Sequence, residues 1–197
     1  MAESQTIEPK LRGMAPGDFI LIAAAPKARH KDLAYSLVLN PVRDSAASVG
    51  IISLEEDSVR VASRLLSDCA NIDEAKFRIG NLENDDWPKL SDALLLFGQS
   101  SILIDDTPGL TIQQILESIR EMVRKLQGKL DLVLINALPT IQRQGAEPLS
   151  EAKKEELLKE ECRILNQLSR EMNIVIIATT DSSMSYEALA GDKSIDD

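Results

Sequence analysis

Residues able to do chemistry lie at five places in the chain. Lys27, Arg29, His30 and Lys31 crowd four basic side chains into A-P-K-A-R-H-K, residues 25–31. Glu55 closes one apolar run, Asp105-Asp106 close another, Asn136 ends a third, and Asp181 follows a fourth. A basic loop that runs into a helix has the right sign for an anion, because free N–H groups and the helix dipole point the same way. A glutamate beside it could serve as a base, and an aspartate pair could hold a metal. The loop has the wrong shape for phosphate, however. A phosphate loop needs glycines so that backbone N–H groups can close round the anion, a lysine for the β and γ charges, and a hydroxyl for magnesium. Residues 25–31 contain no glycine, and the lysine and hydroxyl slots hold His30 and Lys31.

Each residue also has a plainer reading. His30 is the sole histidine, without a second histidine or a cysteine near it in sequence, and reads as a solvated side chain. Asp105-Asp106 open D-D-T-P-G-L-T, where a turn and a helix cap suffice to explain them. Glu55 has nothing to act on unless a phosphate is held nearby. Cys69 and Cys162 belong to no C-x-x-C pair and read as buried, reduced thiols, so no metal centre is expected.

The elements that would position these residues alternate in type. Phe19–Ala24 is an apolar strand launched by the turn Ala15-Pro16-Gly17-Asp18. A helix from near Lys31 carries Leu33, Ala34, Leu37 and Val38, and Asn40-Pro41 is expected to stop it. Val49–Leu54 is a second strand, followed by a helical stripe of Val59, Ala62, Leu65 and Leu66. A helix opens at Asn84-Asp85-Asp86-Trp87-Pro88, with Trp87 expected to anchor it against the core. Ile102–Ile104, Leu130–Ala137 and Ile174–Ala178 are three further strands. Thr111 should cap a helix with Ile112, Ile115, Leu116, Ile119, Val123 and Leu126 on one face, and a long helix carries Leu158, Cys162, Leu165, Leu168 and Met172. Apolar strands alternating with amphipathic helices imply an α/β fold with a mostly parallel sheet of about five strands and helices on both faces. Ligands of such sheets sit at the carboxyl ends of the strands, which is where the five places fall.

The bulk numbers narrow the possibilities. With 32 acidic and 22 basic side chains the formal net charge is -10, which disfavours non-specific nucleic-acid binding. The 197 residues suffice for one core, and no apolar run approaches a membrane span, so a cytoplasmic protein is expected.

Several stretches together resemble the RecA-like motor domain of the DnaB family of replicative DNA helicases. They are L-R-G-M-A-P-G-D-F-I-L-I-A-A-A-P, I-I-S-L-E-E, N-D-D-W-P-K-L, I-L-I-D-D-T-P-G-L-T-I, L-V-L-I-N-A-L and I-V-I-I-A-T. The resemblance implies a P-loop NTPase fold over residues 13–197, lacking the family's final strand, with residues 1–12 as a tail or linker remnant. It places the phosphate loop after Ala24, so that Arg29, His30 and Lys31 fall where the family has G-K-T or G-K-S. Glu55 falls on the catalytic glutamate, Asn136 on the magnesium-side aspartate and Asp181 on the polar sensor.

Only Glu55 matches the family's residue. The resemblance therefore implies a degenerate Walker A site, a pseudo-ATPase that binds no cofactor, and a scaffold or regulator acting in DNA replication. Its partners would be other proteins or copies of itself, an active helicase or a loader among them. A helicase that hydrolyses Mg-ATP through an atypical loop is the alternative, and a nucleotide or anion sensor using Arg29, His30 and Lys31 is a third. In the family, the loops after the fourth and fifth strands contact DNA. Here Arg143 is the one base of the loop 139–150, so nucleic-acid contact is expected to be weak or absent.

Overall fold

The computed structural model describes residues 13–24, 30–45, 47–138, 141 and 150–181, with the backbone alone described at 24, 30, 45, 151 and 181. Five strands, β1 (Phe19–Ala24), β2 (Val49–Ser53), β3 (Ile102–Asp105), β4 (Leu132–Asn136) and β5 (Val175–Asp181), form one sheet in the order β1-β5-β4-β2-β3. Every pairing is parallel. Among the described residues six helices accompany them: α1 (His30–Ser45), α2 (Ser58–Ala70), α3 (Glu74–Arg78), α4 (Asp86–Gln99), α5 (Ile112–Lys125) and α6 (Glu151–Met172).

Strand alternation sorts the core into two layers. Val133, Ile135, Ile176 and Ala178 face α5 and α6 and pack with Ile115, Ile119, Leu165 and Leu168. Leu132, Leu134, Val175 and Ile177 face the other way, onto Tyr35, Val38 and Val42 of α1 and Leu65 of α2. Both faces being covered explains why Leu132–Ile135 and Val175–Ala178 are apolar throughout. Each fully buried aliphatic side chain contributes roughly 1.5–3 kcal/mol. A smaller cluster of Ala70, Ile72 and Ala93, with Phe77 and Leu90, joins α2, α3 and α4.

Local signals account for the element ends. Gly17, at φ +95°, completes the turn into β1, and Asp18 N–H donates to the Ala15 carbonyl at 3.0 Å. Thr111 caps α5 in a reciprocal capping box with Gln114, and Asn71 and Asn173 close α2 and α6 in left-handed conformations.

Three expectations need correction. α1 does not stop at Pro41 but continues to Ser45, because Val42 beyond the proline is completely buried and repays the one missing N–H. Trp87 is 58% exposed, so it does not anchor α4, whose buried residues are Asp86 and Ala93. Val59 is also exposed, and the buried face of α2 runs through Val61 and Leu65.

Candidate functional site at the strand exits

The sheet brings its carboxyl ends together in the order β1, β5, β4, β2, which gathers residues distant in sequence. Ala24 and Asp181 stand opposite each other in the β1–β5 register, as do Ser53 and Asn136 between β2 and β4. α1 begins at His30, so Lys31 lies in its first turn. Arg29 and Arg143 lie outside the described residues, as do the side chains of Ala24, His30 and Asp181.

The structure unites two of the predicted residues directly. Lys31 Nζ donates to Glu55 Oε2 in an ion pair whose side chains are about a quarter exposed. Glu55 is held there by the turn after β2. Leu54 N–H donates to the Asn136 carbonyl at 2.7 Å, and Ser53 Oγ donates to the Glu56 carbonyl at 2.6 Å.

Asn136 is 1% exposed and points to the α1 side, sharing strand parity with Leu132 and Leu134. Its Oδ1 accepts a 2.7 Å hydrogen bond from Thr179 Oγ1. Its Nδ2 lies toward the Tyr35 hydroxyl without a well-formed hydrogen bond among the described residues, and Thr180 Oγ1 is similarly unpartnered there. Burial pushes the Tyr35 hydroxyl above its usual range, Glu56 adds to the rise, and Arg64 and Asn136 oppose it. Tyr35 donates to Glu56 Oε2 at 3.4 Å. Arg64 lies 5.2 Å from the centre of the Tyr35 ring and reaches Glu56 at 3.6 Å, Glu74 at 3.6 Å and Asp32 at 3.9 Å.

The aspartate pair is committed to local structure. Asp106 Oδ2 accepts from Ser58 N–H at 2.7 Å, tying β3 to the first turn of α2 and holding its carboxyl below the usual range. Burial would raise the Asp105 carboxyl, but hydrogen bonds from Ser118 and Thr107 outweigh it and hold the group low. Among the described residues no group of three or more His, Cys, Asp or Glu could hold a metal ion.

Sequence reasoning missed Thr179, Tyr35, Glu56 and Arg64. Thr179 could have been found by its place on the fifth strand, two residues before Asp181. Tyr35 could have been found by helical spacing, one turn after Lys31.

Comparison with known proteins fits this architecture. The sequence profile of the DnaB-like helicase C terminal domain matches residues 2–193. The chain is 31% identical over 175 residues to the replicative DNA helicase DnaC of Bacillus subtilis (strain 168), and 30% identical to the replicative DNA helicase DnaB of Geobacillus stearothermophilus. Each match covers 89% of this chain and 37% of the relative. The chain thus spans little more than a third of the length of these relatives. Among solved structures, one described as an ATPase domain superposes with a TM-score of 0.73 at 25% identity, covering 89% of this chain and 64% of that one. A DnaB-like replicative helicase studied for its interactions with primase gives 0.67 at 26% identity, covering 84% of this chain and 39% of that one. Among the described residues no helix is long and apolar enough to cross a membrane. A parallel RecA-like sheet with its polar residues at the strand exits, matched along nearly its whole length by one profile, makes this chain a member of the DnaB-like helicase C-terminal domain family.

Proposed function

We propose that this chain is a DnaB-type helicase domain that does not hydrolyse ATP and acts as a scaffold or regulator in a replication-type assembly through protein–protein contacts. One observation carries the reading: Glu55, the residue that would activate water, is engaged by Lys31. Lys31 stands where a hydroxyl would reach magnesium, and Asn136, where a carboxylate would order the metal's water, is a neutral amide already bonded to Thr179. The described donor set does not fit a nucleotide-bound magnesium ion. Homo-oligomerisation or an active helicase as partner is part of the same proposal.

The second reading, an ATP-dependent DNA helicase, is favoured by the relatives, which are named replicative DNA helicases. One assay separates the two. Purified protein incubated with Mg-ATP, with and without single-stranded DNA, is expected to release no phosphate above background. Turnover that single-stranded DNA stimulates and Glu55→Gln abolishes would establish the motor and overturn the scaffold. The protein-contact half of the reading is checked separately by sedimentation of the chain alone and mixed with a purified DnaB-type helicase; monomers throughout would remove it.

A further inference from the structure

We propose that the outward face of α4 is a seam for a second copy of this chain, the two helices lying antiparallel about a two-fold axis. The inference rests on the protein-contact reading above and names the surface that serves it. Among the described residues every exposed large hydrophobic side chain, Val59, Ile79, Trp87, Leu94 and Leu95, belongs to α2, to α4 or to the end of α3. α4 gathers three of them. At roughly 100° per residue Trp87, Ser91, Leu94, Leu95 and Gly98 share one side of the helix, all of them exposed. Leu90, Ala93 and Phe97 turn the other way and join the core. A helix that is apolar on its inner side and again on its outer side carries more hydrophobic surface than its own fold uses.

Gly98 is the second observation. Glycine inside a helix is destabilising relative to alanine, so its presence calls for a reason. Its φ is not positive, and a Cβ added there would meet nothing within 4 Å among the described residues. Neither backbone angle nor crowding within this chain requires it. A glycine on an exposed helix surface lets a large side chain from outside approach the backbone closely.

The size pattern selects the occupant. An antiparallel pairing centred between Asp92 and Ala93 sets Trp87 of one copy over Gly98 of the other, and Leu94 over Ser91. Each large side chain meets a small residue, and two-fold symmetry makes every match twice. A parallel pairing would stack Trp87 on Trp87 and bring Asp92 beside Asp92. Charge selects the same orientation. Asp86, Lys89 and Asp92 lie off the seam in the amino-terminal half of α4, and Asp86 is already paired with Lys76 and Lys89. Antiparallel packing sets that half beside the uncharged residues 93–99 and joins opposite ends of the two helix dipoles. For a chain of net charge -10, an uncharged seam is where two copies meet with the least repulsion.

Sedimentation velocity of the full chain over a range of concentrations should show a monomer–dimer equilibrium. Trp87, open to iodide in the dilute chain, should become protected as the dimer forms. Leu94→Arg should abolish the dimer without lowering the Tm of the dilute chain. Gly98→Ala should move two readouts in opposite directions: the Tm of the dilute chain rises, because alanine suits a helix better, and the dimer weakens, because the methyl group holds Trp87 off. Orientation is read by oxidising a mixture of Trp87→Cys and Gly98→Cys chains and identifying the linked peptides by mass spectrometry. Links between the two variants support the seam, and Trp87→Cys linked only to itself overturns it. A chain that stays monomeric overturns it too, as does a dimer that Leu94→Arg and Gly98→Ala leave intact. These failures are distinct from failure of the scaffold reading, which stands if a chain monomeric alone still co-sediments with a purified DnaB-type helicase and falls if single-stranded DNA stimulates ATP turnover.

Discussion

Thr179 Oγ1 on β5 donates to Asn136 Oδ1 on β4 at 2.7 Å, one step beyond the Ile135–Ala178 pair, and both residues are buried. Thr179→Val keeps the shape and removes the donor, leaving a buried acceptor without a partner. Urea denaturation should show a loss of about 1–3 kcal/mol. An unchanged midpoint would mean that Asn136 finds another donor at no cost.

Arg64 joins α1, α2 and α3 through Asp32, Glu56, Glu74 and the face of Tyr35. Its stem also fills space, since the side chain is 12% exposed. Arg64→Ala should cost about 1–3 kcal/mol. Arg64→Lys should recover little of that, because an ammonium reproduces neither the planar fork nor the stacking. Chemical denaturation of the two variants side by side measures both effects.

Asp86 gives a pH signature. The Lys76 ammonium at 2.8 Å, with the Glu83 N–H, lowers its carboxyl from 3.8 to about 2. A depressed folded-state pKa gives stability that is present above the unfolded value and lost as pH falls through the folded one. The stability difference between wild type and Asp86→Asn should therefore be constant above about pH 5 and shrink toward pH 2. Urea midpoints across that range read it directly.

Cys162 tests the α6 packing. Burial, helped by Glu161, pushes its thiol from 9.0 up to about 12, so little thiolate forms at neutral pH. Iodoacetamide at pH 8 should alkylate it slowly in the native protein and readily in urea, followed by mass spectrometry.

Trp87 is the sole tryptophan and gives a clean optical probe. Being more than half exposed, its fluorescence should be quenched efficiently by iodide in the folded state. Trp87→Ala should change stability by no more than about 0.5 kcal/mol. Strong protection from iodide would show that α4 buries this face in solution.

Fold and site differ in how far they could be read ahead of the structure. The five strands were visible as apolar runs, most plainly Leu132–Asn136, which is buried along its whole length, while β3 is only half-buried. Thr111 announced α5 through capping chemistry that is local by nature, and Gln114 completes the box in the structure. Pro41 misled because its local cost is real, while the compensating burial of Val42 is tertiary. Trp87 misled because size alone says nothing about which side of a helix meets the core.

The strand exits could be named in sequence as places, but their pairings could not. Lys31 meeting Glu55, and Asn136 meeting Thr179, follow from strand order and register, which no single stretch encodes. Residues 25–29 and 142–149 lie outside the described set, so the structure does not bear on the roles read for Arg29 and Arg143.

The pairing of β1 with β5 sets an order of assembly. Phe19 aligns with Ile176, and β5 is the strand on which β1 lies, so the first of the described strands meets this neighbour only in the last of the described elements. Closing so long a span of chain is entropically costly and slow, so the apolar F-I-L-I segment has no described partner strand until β5 is in place. Truncation ahead of Val175 would leave that segment without its template, and a nascent chain emerging from the ribosome passes through that state every time.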